Sequence, residues 1–408
     1  MKKVLILLSL LFPVIAAAEN STVTESDTLT SIVEKVVKQK VKSKINVDFC
    51  TTLNGTFTDD SFNGISMKMN RLRIDMRGRI SDEFSYRVRQ SFNKSYTKGA
   101  LDNIPASLEY ANIQWHGHEK VKLTLGKQFV LMGGYEALAN SMYVREFADF
   151  NDNINFYKLG FTADFKVAKD QLLSVQIVND RNGKVEDVYK YGLPSGMEAY
   201  KLPFMTSVAW NGYFADKAWN LIYAASVAPV AKGKNVYSLT CGNIYDKGPI
   251  FAYLDVMYSR EGIDTQQRIT GLQSNVTAQD VEYLSFIGRF DYRFRPGLKV
   301  YVKGAYETSN VISANGPFAA GHYMTNWNAQ ACVEWNPLKN EKNFMVFAHY
   351  VYKGYDLKEN ALALKAVKPN TQRISLGVIY VISNGSALLD MNLDELSIST
   401  IILALLMK

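Results

Sequence analysis

The chain has 408 residues, among them 24 tyrosines and 21 phenylalanines, and a formal net charge of +7 at pH 7. This mild positive charge is neither clustered into a tail nor interleaved with aromatic residues, so we expect no nucleic-acid partner. The length leaves ample chain for one very large β domain.

The N-terminus has the features of a secretory signal. Lys2 and Lys3 precede an apolar run over 4–15, and Ala16, Ala17 and Ala18 come before Glu19. The apolar run is too short to span a bilayer, and small residues mark a cleavage site. We therefore predict a signal peptide over 1–18 and a mature chain that begins near Glu19.

Residues 19–44 contain apolar side chains at helical spacing from Leu29 to Val41, surrounded by lysines. This periodicity predicts a short amphipathic helix ahead of the barrel described below. Such a helix could form a coiled coil with copies of itself, but packing on the periplasmic rim of the barrel is favoured, since there are few heptads.

From Ile45 onward, segments with a period of two follow one another. In most of them apolar and polar residues alternate, as in strands with two different faces. The predicted strands span 45–57, 65–80, 84–93, 106–116, 120–130, 156–165, 171–179, 205–214, 218–228, 236–245, 250–260, 282–294, 298–309, 322–335, 344–355 and 372–382. Short connections collect at one end and long ones at the other, which is typical of outer-membrane barrels. The fold class is therefore all-β: a 16-stranded antiparallel transmembrane β-barrel over 45–382, in contact with outer-membrane lipid, with short periplasmic turns and long external loops.

The second predicted strand carries arginines on the face opposite its apolar residues. A soluble sheet could turn such a face to water, but in a barrel it faces the lumen. The candidate anion pathway consists of Arg71, Arg73, Arg77, Arg79, Arg87, Arg89, Arg289 and Arg293. Guanidinium groups suit weak, repeated capture of phosphate or carboxylate. The alternative is a transverse field, in which the arginines face Asp75, Asp291 and the acids of a constriction loop.

The long segment over 131–155 is the candidate constriction loop. Gly133 and Gly134 allow it to bend inward. Its charged residues include Glu136, Arg145, Glu146, Asp149 and Asp152. Arg145 is its only basic residue, and pairing with the adjacent Glu146 is favoured over lining the pore.

Four features together resemble the phosphate-selective porin O/P family: the signal peptide, the arginine-rich second strand, Leu125–Phe129 leading into the constriction loop, and Arg373–Ile382. The resemblance implies a 16-stranded outer-membrane channel, commonly trimeric, with an arginine-lined lumen and an inward-folded third loop. A homotrimer is therefore expected. Members differ in what they pass, so the family name does not assign a solute.

The last predicted strand resembles the signal by which the barrel-assembly machinery recognises its substrates, with Ser375, Gly377, Tyr380 and Ile382 at the characteristic positions. The chain departs from that pattern because 383–408 follow the strand. This tail has no strand alternation and is either a frameshifted end or an appended segment.

No enzyme motif is present in the sequence: it contains neither Gly-x-Ser-x-Gly nor His-Glu-x-x-His. His116 and His118 are read as turn residues, and Cys50, Cys241 and Cys332 are odd in number and lack metal-type spacing, so no metal or cofactor is expected. The three cysteines fall on predicted strands that are not adjacent, so no disulfide is expected. The sequence predicts a passive diffusion channel for small hydrophilic solutes that prefers anions such as phosphate. The alternatives are a general non-selective porin and a plugged structural or adhesive barrel, although 19–44 is too short for a plug domain.

Overall fold

A computed structural model of the protein describes residues 43–139, 143–272, 275–338, 340–341 and 343–385. The predicted signal peptide, the N-terminal helix and most of the predicted C-terminal tail lie outside the described residues.

Sixteen strands, each hydrogen-bonded to its neighbours in the sequence, form a closed antiparallel barrel in which β1 also pairs with β16. The strands are β1 Lys44–Thr58, β2 Ser61–Arg79, β3 Phe84–Ser91, β4 Leu108–His118, β5 Val121–Phe129, β6 Tyr157–Ala168, β7 Gln171–Asn179, β8 Phe204–Phe214, β9 Trp219–Ala231, β10 Lys234–Lys247, β11 Ile250–Ile263, β12 Gln279–Arg295, β13 Leu298–Val311, β14 Gly321–Trp335, β15 Phe344–Leu357 and β16 Thr371–Gly385. Closure leaves no strand edge unpaired, as a lipid-exposed sheet requires. The predicted 16-stranded barrel is confirmed.

Within the described residues the helices are short: α1 Tyr135–Leu138, α2 Asp149–Asp152, α3 Val185–Val188, α4 Glu359–Ala363 and a 3₁₀ turn at Thr270–Leu272. None of these described helices has the length and apolar character needed to cross a bilayer.

The connections sort into two ends, with two departures from the expected pattern. One end of the barrel, where β1 begins and β16 ends, is called the turn end, and most connections there have two to four residues. The opposite end is called the loop end, and it carries L3 (130–156), L4 (180–203) and L6 (264–278). However, β1 and β2 meet at the loop end through only Asp59 and Asp60, and β9 and β10 through 232–233. Both Asp59 and Asp60 have positive φ, 43° and 65°, as a two-residue hairpin turn requires. The predicted strands end at 57 and begin at 65, so both strands extend further toward this turn than the sequence analysis predicts.

The outer face of the barrel is apolar and the inner face largely polar. On β12, Phe286 and Phe290 are 42% and 45% exposed, while Ser285 and Arg289, which precede them, are buried. One side of the interior is also apolar, because L3 and L6 pack Phe150, Ile269 and other residues against inward side chains of β10 to β14. These loops fill part of the lumen, so the open space lies elsewhere in the barrel.

Candidate functional site

The arginines of β2 and β3 lie on the inner face, and the strand register brings them together. Arg77 lies opposite Arg87, and Asp75 lies opposite Arg89. The predicted cluster of arginines on one side of the lumen is therefore present in the fold.

Four of these six guanidinium groups have a carboxylate partner on their own strand or on a neighbouring one. Asp75 accepts hydrogen bonds from Arg77 and Arg87, with Nη2–Oδ2 distances of 2.7 and 2.8 Å. Arg89 pairs with Glu109 at 2.7 Å. Arg73 pairs with Asp48, and both side chains are buried. The arginine row is thus largely neutralised by the barrel wall itself.

The remaining predicted arginines differ in their surroundings. Arg289 forms a two-pronged pair with Asp291, at 2.6 and 2.8 Å. Arg293 lies near the turn end, partly exposed, 2.9 Å from Asp246. Arg79 donates to the backbone carbonyl of Asp82 at 2.9 Å.

Asp75 and Asp291 were expected partners, but Asp48 and Glu109 were not identified from the sequence. Each of these two lies at an inward position on β1 or β4. Asp48 lies directly opposite Arg73 in the register of β1 with β2. These partners follow from the strand pairing, so they can be identified only once the register is known.

Arg71 is the exception on β2. Its Nη1 is buried and has no hydrogen-bond partner in the described part of the chain. No carboxylate among the described residues forms a salt bridge with it, in contrast to Arg73 and Arg77. Arg71 therefore retains donor capacity directed into the barrel.

L3 is attached to the inner wall through its first helix. Asp255 on β11 accepts hydrogen bonds from the backbone N–H groups of Tyr135 and Glu136, both at 2.8 Å. Gly133 donates to Thr240 Oγ1 at 2.5 Å. A Cβ at Gly133 would clash with the carbonyl oxygens of Ile222 and Thr240, so the close approach of the loop to β9 and β10 requires glycine there.

A second carboxylate holds the next helix of L3. Glu307 on β13 accepts from the N–H groups of Asp149 and Phe150, at 2.9 and 2.8 Å. Glu307 is fully buried and also accepts from Ser285 and Asn326. Because a carboxylate satisfies the free N–H groups of a helix start and favours its positive end, α2 is fixed against the wall.

The charged side chains of L3 contact the strands and not one another. Arg145 pairs with Glu334 on β14 at 2.6 Å, so the expectation that it pairs with Glu146 is not met. Glu146 instead contacts Arg373 at 2.6 Å and Lys353 at 2.9 Å. Although adjacent in the chain, Arg145 contacts β14 whereas Glu146 contacts β15 and β16. Glu136 pairs with Lys303, and Asp149 with Lys353.

These contacts determine the charge of Glu146. Burial alone would raise its pKa, but the positive charges of Lys353 and Arg373 outweigh this effect and hold the pKa of Glu146 below its ordinary value. Asp152 has the opposite balance: burial raises its pKa, and the nearby Glu146 and Asp149 add to the increase.

Three arginines converge on a cavity of about 180 Å³, which we call the arginine cavity. Arg71, Arg145 and Arg373 line it, together with Asn70, Thr52, Ser375 and His349 among others. No carboxylate belongs to its described lining. Small anions fit both the size of this space and its donors.

A second cavity of about 340 Å³ adjoins it, and Arg71 and Phe147 line both. The second cavity has mixed charge, with Lys94 on one hand and Glu109 and Asp152 on the other. Arg71 therefore lies between two open spaces of the lumen.

The residues of the predicted assembly signal lie on β16, which closes the barrel. Ser375 points inward and donates to Asn54 Oδ1 at 2.7 Å. Gly377 lies under the ring of Phe347, where a Cβ would clash. Tyr380 is paired with Phe344, and Ile382 with Val47.

Among the described residues, no group of three or more His, Cys, Asp or Glu side chains is arranged to hold a metal ion. His116 contacts Ser85 at 2.7 Å, and His118 accepts from the N–H of Lys120.

A sequence model described as phosphate-selective porin O and P matches residues 40–382. A search of curated proteins found no match.

Solved structures with the same fold include several outer-membrane channels. The outer membrane channel DcaP of Acinetobacter baumannii is similar with a TM-score of 0.58 and 13% sequence identity, covering 84% of this chain and 98% of that one. OmpF of Salmonella typhi, in complex with daunomycin, has a TM-score of 0.57 at 14% identity, covering 84% and 98%. An anion-selective porin from Comamonas acidovorans has a TM-score of 0.53 at 9% identity, covering 84% and 99%. At these identities the likeness concerns the fold.

Proposed function

Since the chain belongs to the phosphate-selective porin O and P family and is an outer-membrane porin, we propose that it passes small hydrophilic anions, phosphate among them, by passive diffusion. The preference for anions would arise at the arginine cavity and not along the whole arginine row. The family description and the anion-selective porin from Comamonas acidovorans are consistent with this proposal.

The observation that carries the proposal is the state of Arg71. Its buried Nη1 has no partner among the described residues, and the side chain lines both cavities of the lumen. An anion that passes from one cavity to the other would accept the hydrogen bonds that the protein leaves open. Arg145 and Arg373, whose carboxylate partners do not line the arginine cavity, would add positive potential there.

The ion pairs of the wall limit the number of arginines that can attract an anion. Arg73, Arg77, Arg87 and Arg89 are matched by Asp48, Asp75 and Glu109, so they contribute little net charge. A short site with few open donors would bind anions weakly enough to release them, as conduction requires.

A general porin with little charge preference is the second candidate. It is favoured by the same neutralised wall and by the acids Glu109 and Asp152 in the second cavity. The measured selectivity distinguishes the two candidates.

The test is the zero-current potential of the purified protein in a planar bilayer across a salt gradient. The wild type should give an anion-selective potential that phosphate reduces, and Arg71→Gln should lower the permeability ratio of anion to cation several-fold. Arg79→Gln is the matched control, because it removes the same charge from the same strand at a side chain near the turn end that bonds a backbone carbonyl. Equal effects of the two variants, or a wild-type potential near zero, would refute the anion site and leave a general porin.

We propose that three copies assemble, as is common in the family that the sequence resembles. Native mass spectrometry of the detergent-extracted protein should give a trimer mass, and a stable monomer would contradict the proposal.

For the domains we propose a signal peptide over 1–18, a periplasmic helical segment over 19–44, the barrel over 45–382 and a tail over 383–408. Intact-mass analysis of the mature protein should place its first residue at Glu19. It also tells whether the tail is retained.

We also propose that Ser375, Gly377, Tyr380 and Ile382 form the signal for the barrel-assembly machinery. Tyr380→Ala should reduce the folded barrel recovered from outer membranes. Tyr350→Ala, on the outward face of the neighbouring strand β15, should not. Equal recovery of both variants would contradict the proposal.

A further inference from the structure

A cavity of about 330 Å³ lies among L3, L4, L6 and the inner faces of β8 to β10. Its lining shares no described residue with the arginine cavity. It adjoins the second cavity at Ile154, which lines both, but Arg71 does not line it.

One part of its wall is apolar. Val130, Met132, Met205, Val230 and Val236 line it, and Val130 and Val230 are almost fully buried. A hydrocarbon group of a solute would be removed from water here, which favours binding.

Two amide oxygens of the lining are buried without a donor among the described residues, and their orientation is determined by the other end of each amide. Asn182 donates from Nδ2 to the carbonyl of Tyr157 at 3.0 Å, which leaves Oδ1 unpaired. Gln266 donates from Nε2 to Ser259 and Glu261, both at 3.0 Å, which leaves Oε1 unpaired. Gln266 is only 6% exposed. A buried acceptor without a donor destabilises the folded protein, so an N–H group of a bound molecule would be stabilised at these positions.

The lining also holds positive groups. Arg181 pairs through Nη1 with Asp180 at 2.8 Å, while its Nε is buried and has no partner within the part of the chain that the structure describes. Lys158 donates to the backbone carbonyl of Asp180. These donors match a carboxylate or carbonyl oxygen.

From this combination we infer that the cavity is a binding site for small amphipathic zwitterions, namely apolar amino acids or dipeptides. The apolar wall takes the side chain, Asn182 and Gln266 accept from the ammonium or amide N–H, and Arg181 donates to the carboxylate. The volume lies at the lower end of the range of roughly 300–1,000 Å³ for small-ligand pockets. Inorganic phosphate has no hydrocarbon group to place against the apolar wall, so it fits this cavity poorly.

The test is isothermal titration of the full-length protein in detergent with leucyl-leucine. Ser226 lines the cavity, and Ser226→Phe would fill it. Val227→Phe is the matched control, because Val227 is the next residue of β9 and is exposed on the outer face. Leucyl-leucine should bind the wild type and Val227→Phe alike, and binding to Ser226→Phe should fall by at least about 10-fold.

A ligand series keeps the test decisive if Ser226→Phe does not fold. The acid 4-methylpentanoate has the hydrocarbon group and the carboxylate but no N–H donor, so it should bind at least about 10-fold more weakly than leucyl-leucine. Equal binding of the two would overturn the assignment of Asn182 and Gln266. Absence of leucyl-leucine binding, or binding unchanged by Ser226→Phe, would mean that the cavity holds only water. Neither result depends on the anion selectivity, which the bilayer measurement tests separately.

Discussion

Asp75 pairs with two arginines of the lumen, Arg77 and Arg87. Its effect on selectivity can be measured separately from its effect on stability. Replacing Asp75 by Asn frees Arg77 and Arg87, so we expect the anion preference in the zero-current potential to rise. We also expect a loss of about 2 kcal/mol in the free energy of unfolding by urea, less than for a fully buried pair, because Arg77 is half exposed.

Asp246→Asn is the control for Asp75, since it breaks a partly exposed pair with Arg293 near the turn end. Such pairs contribute below about 1 kcal/mol, and this variant should leave selectivity unchanged. If both variants lose the same stability and neither changes selectivity, Asp75 does not balance the charge of the lumen.

Asp152 makes the selectivity depend on pH. Burial raises the pKa of this carboxyl, so it takes up its proton at a higher pH than the ordinary value of about 3.9 for Asp. Glu146, whose pKa is lowered, remains charged in that range. As the pH falls, the second cavity therefore loses a negative charge while the contacts of Glu146 persist.

We accordingly expect the anion preference to increase as the pH is lowered from 7 toward the range in which carboxyl groups take up protons. Asp152→Asn should show the higher preference already at pH 7 and little further change in that range. The zero-current potential measured at each pH checks this, and an identical pH dependence in Asp152→Asn would assign the titration to another group.

At the scale of elements, two carboxylates of the barrel wall hold the short helices of L3. Glu307→Gln leaves one acceptor oxygen and a new N–H₂ group in front of the N–H groups of Asp149 and Phe150. We expect hydrogen exchange at these two amides to accelerate by at least about 10-fold, measured by mass spectrometry, because a hydrogen bond to a charged group is lost.

Glu282→Gln serves as the control for Glu307, since Glu282 lies on the outward face of β12 and contacts Tyr258. It should leave exchange in L3 unchanged. Open-channel current noise should increase for Glu307→Gln alone, and equal protection of L3 in both variants would mean that other contacts fix the loop.

The strands could be predicted because their two faces contact different solvents. Phe286 and Phe290 face outward and Arg289 faces inward, as their alternation indicates. The alternation does not predict Tyr283 and Ile287, which face inward although apolar, because L6 and L3 cover them. Only the folded position of the loops explains these residues.

The partners of the arginines were less predictable than the arginines themselves. The sequence indicates that Arg71 and Arg73 lie on one face, yet only the register decides that Asp48 meets Arg73. Likewise, Arg145 of L3 pairs with Glu334 of β14. The two residues are 189 positions apart in the chain, so no local sequence pattern indicates the pair. Long-range ion pairs follow from strand order and loop position, neither of which is encoded in a single segment.

At the scale of the whole molecule, two sources of anion preference can be distinguished by salt. The net positive charge of the protein acts over distance, and its field is screened within about 3 Å at 1 M salt. Direct donation from Arg71 to an anion acts at contact distance and in a buried position, where screening is weak. We therefore expect more than about half of the preference measured near 0.1 M potassium chloride to remain near 1 M. Arg71→Gln should lose this salt-resistant part and keep the salt-sensitive part, whereas a wild-type preference that vanishes near 1 M would trace selectivity to the general charge of the barrel.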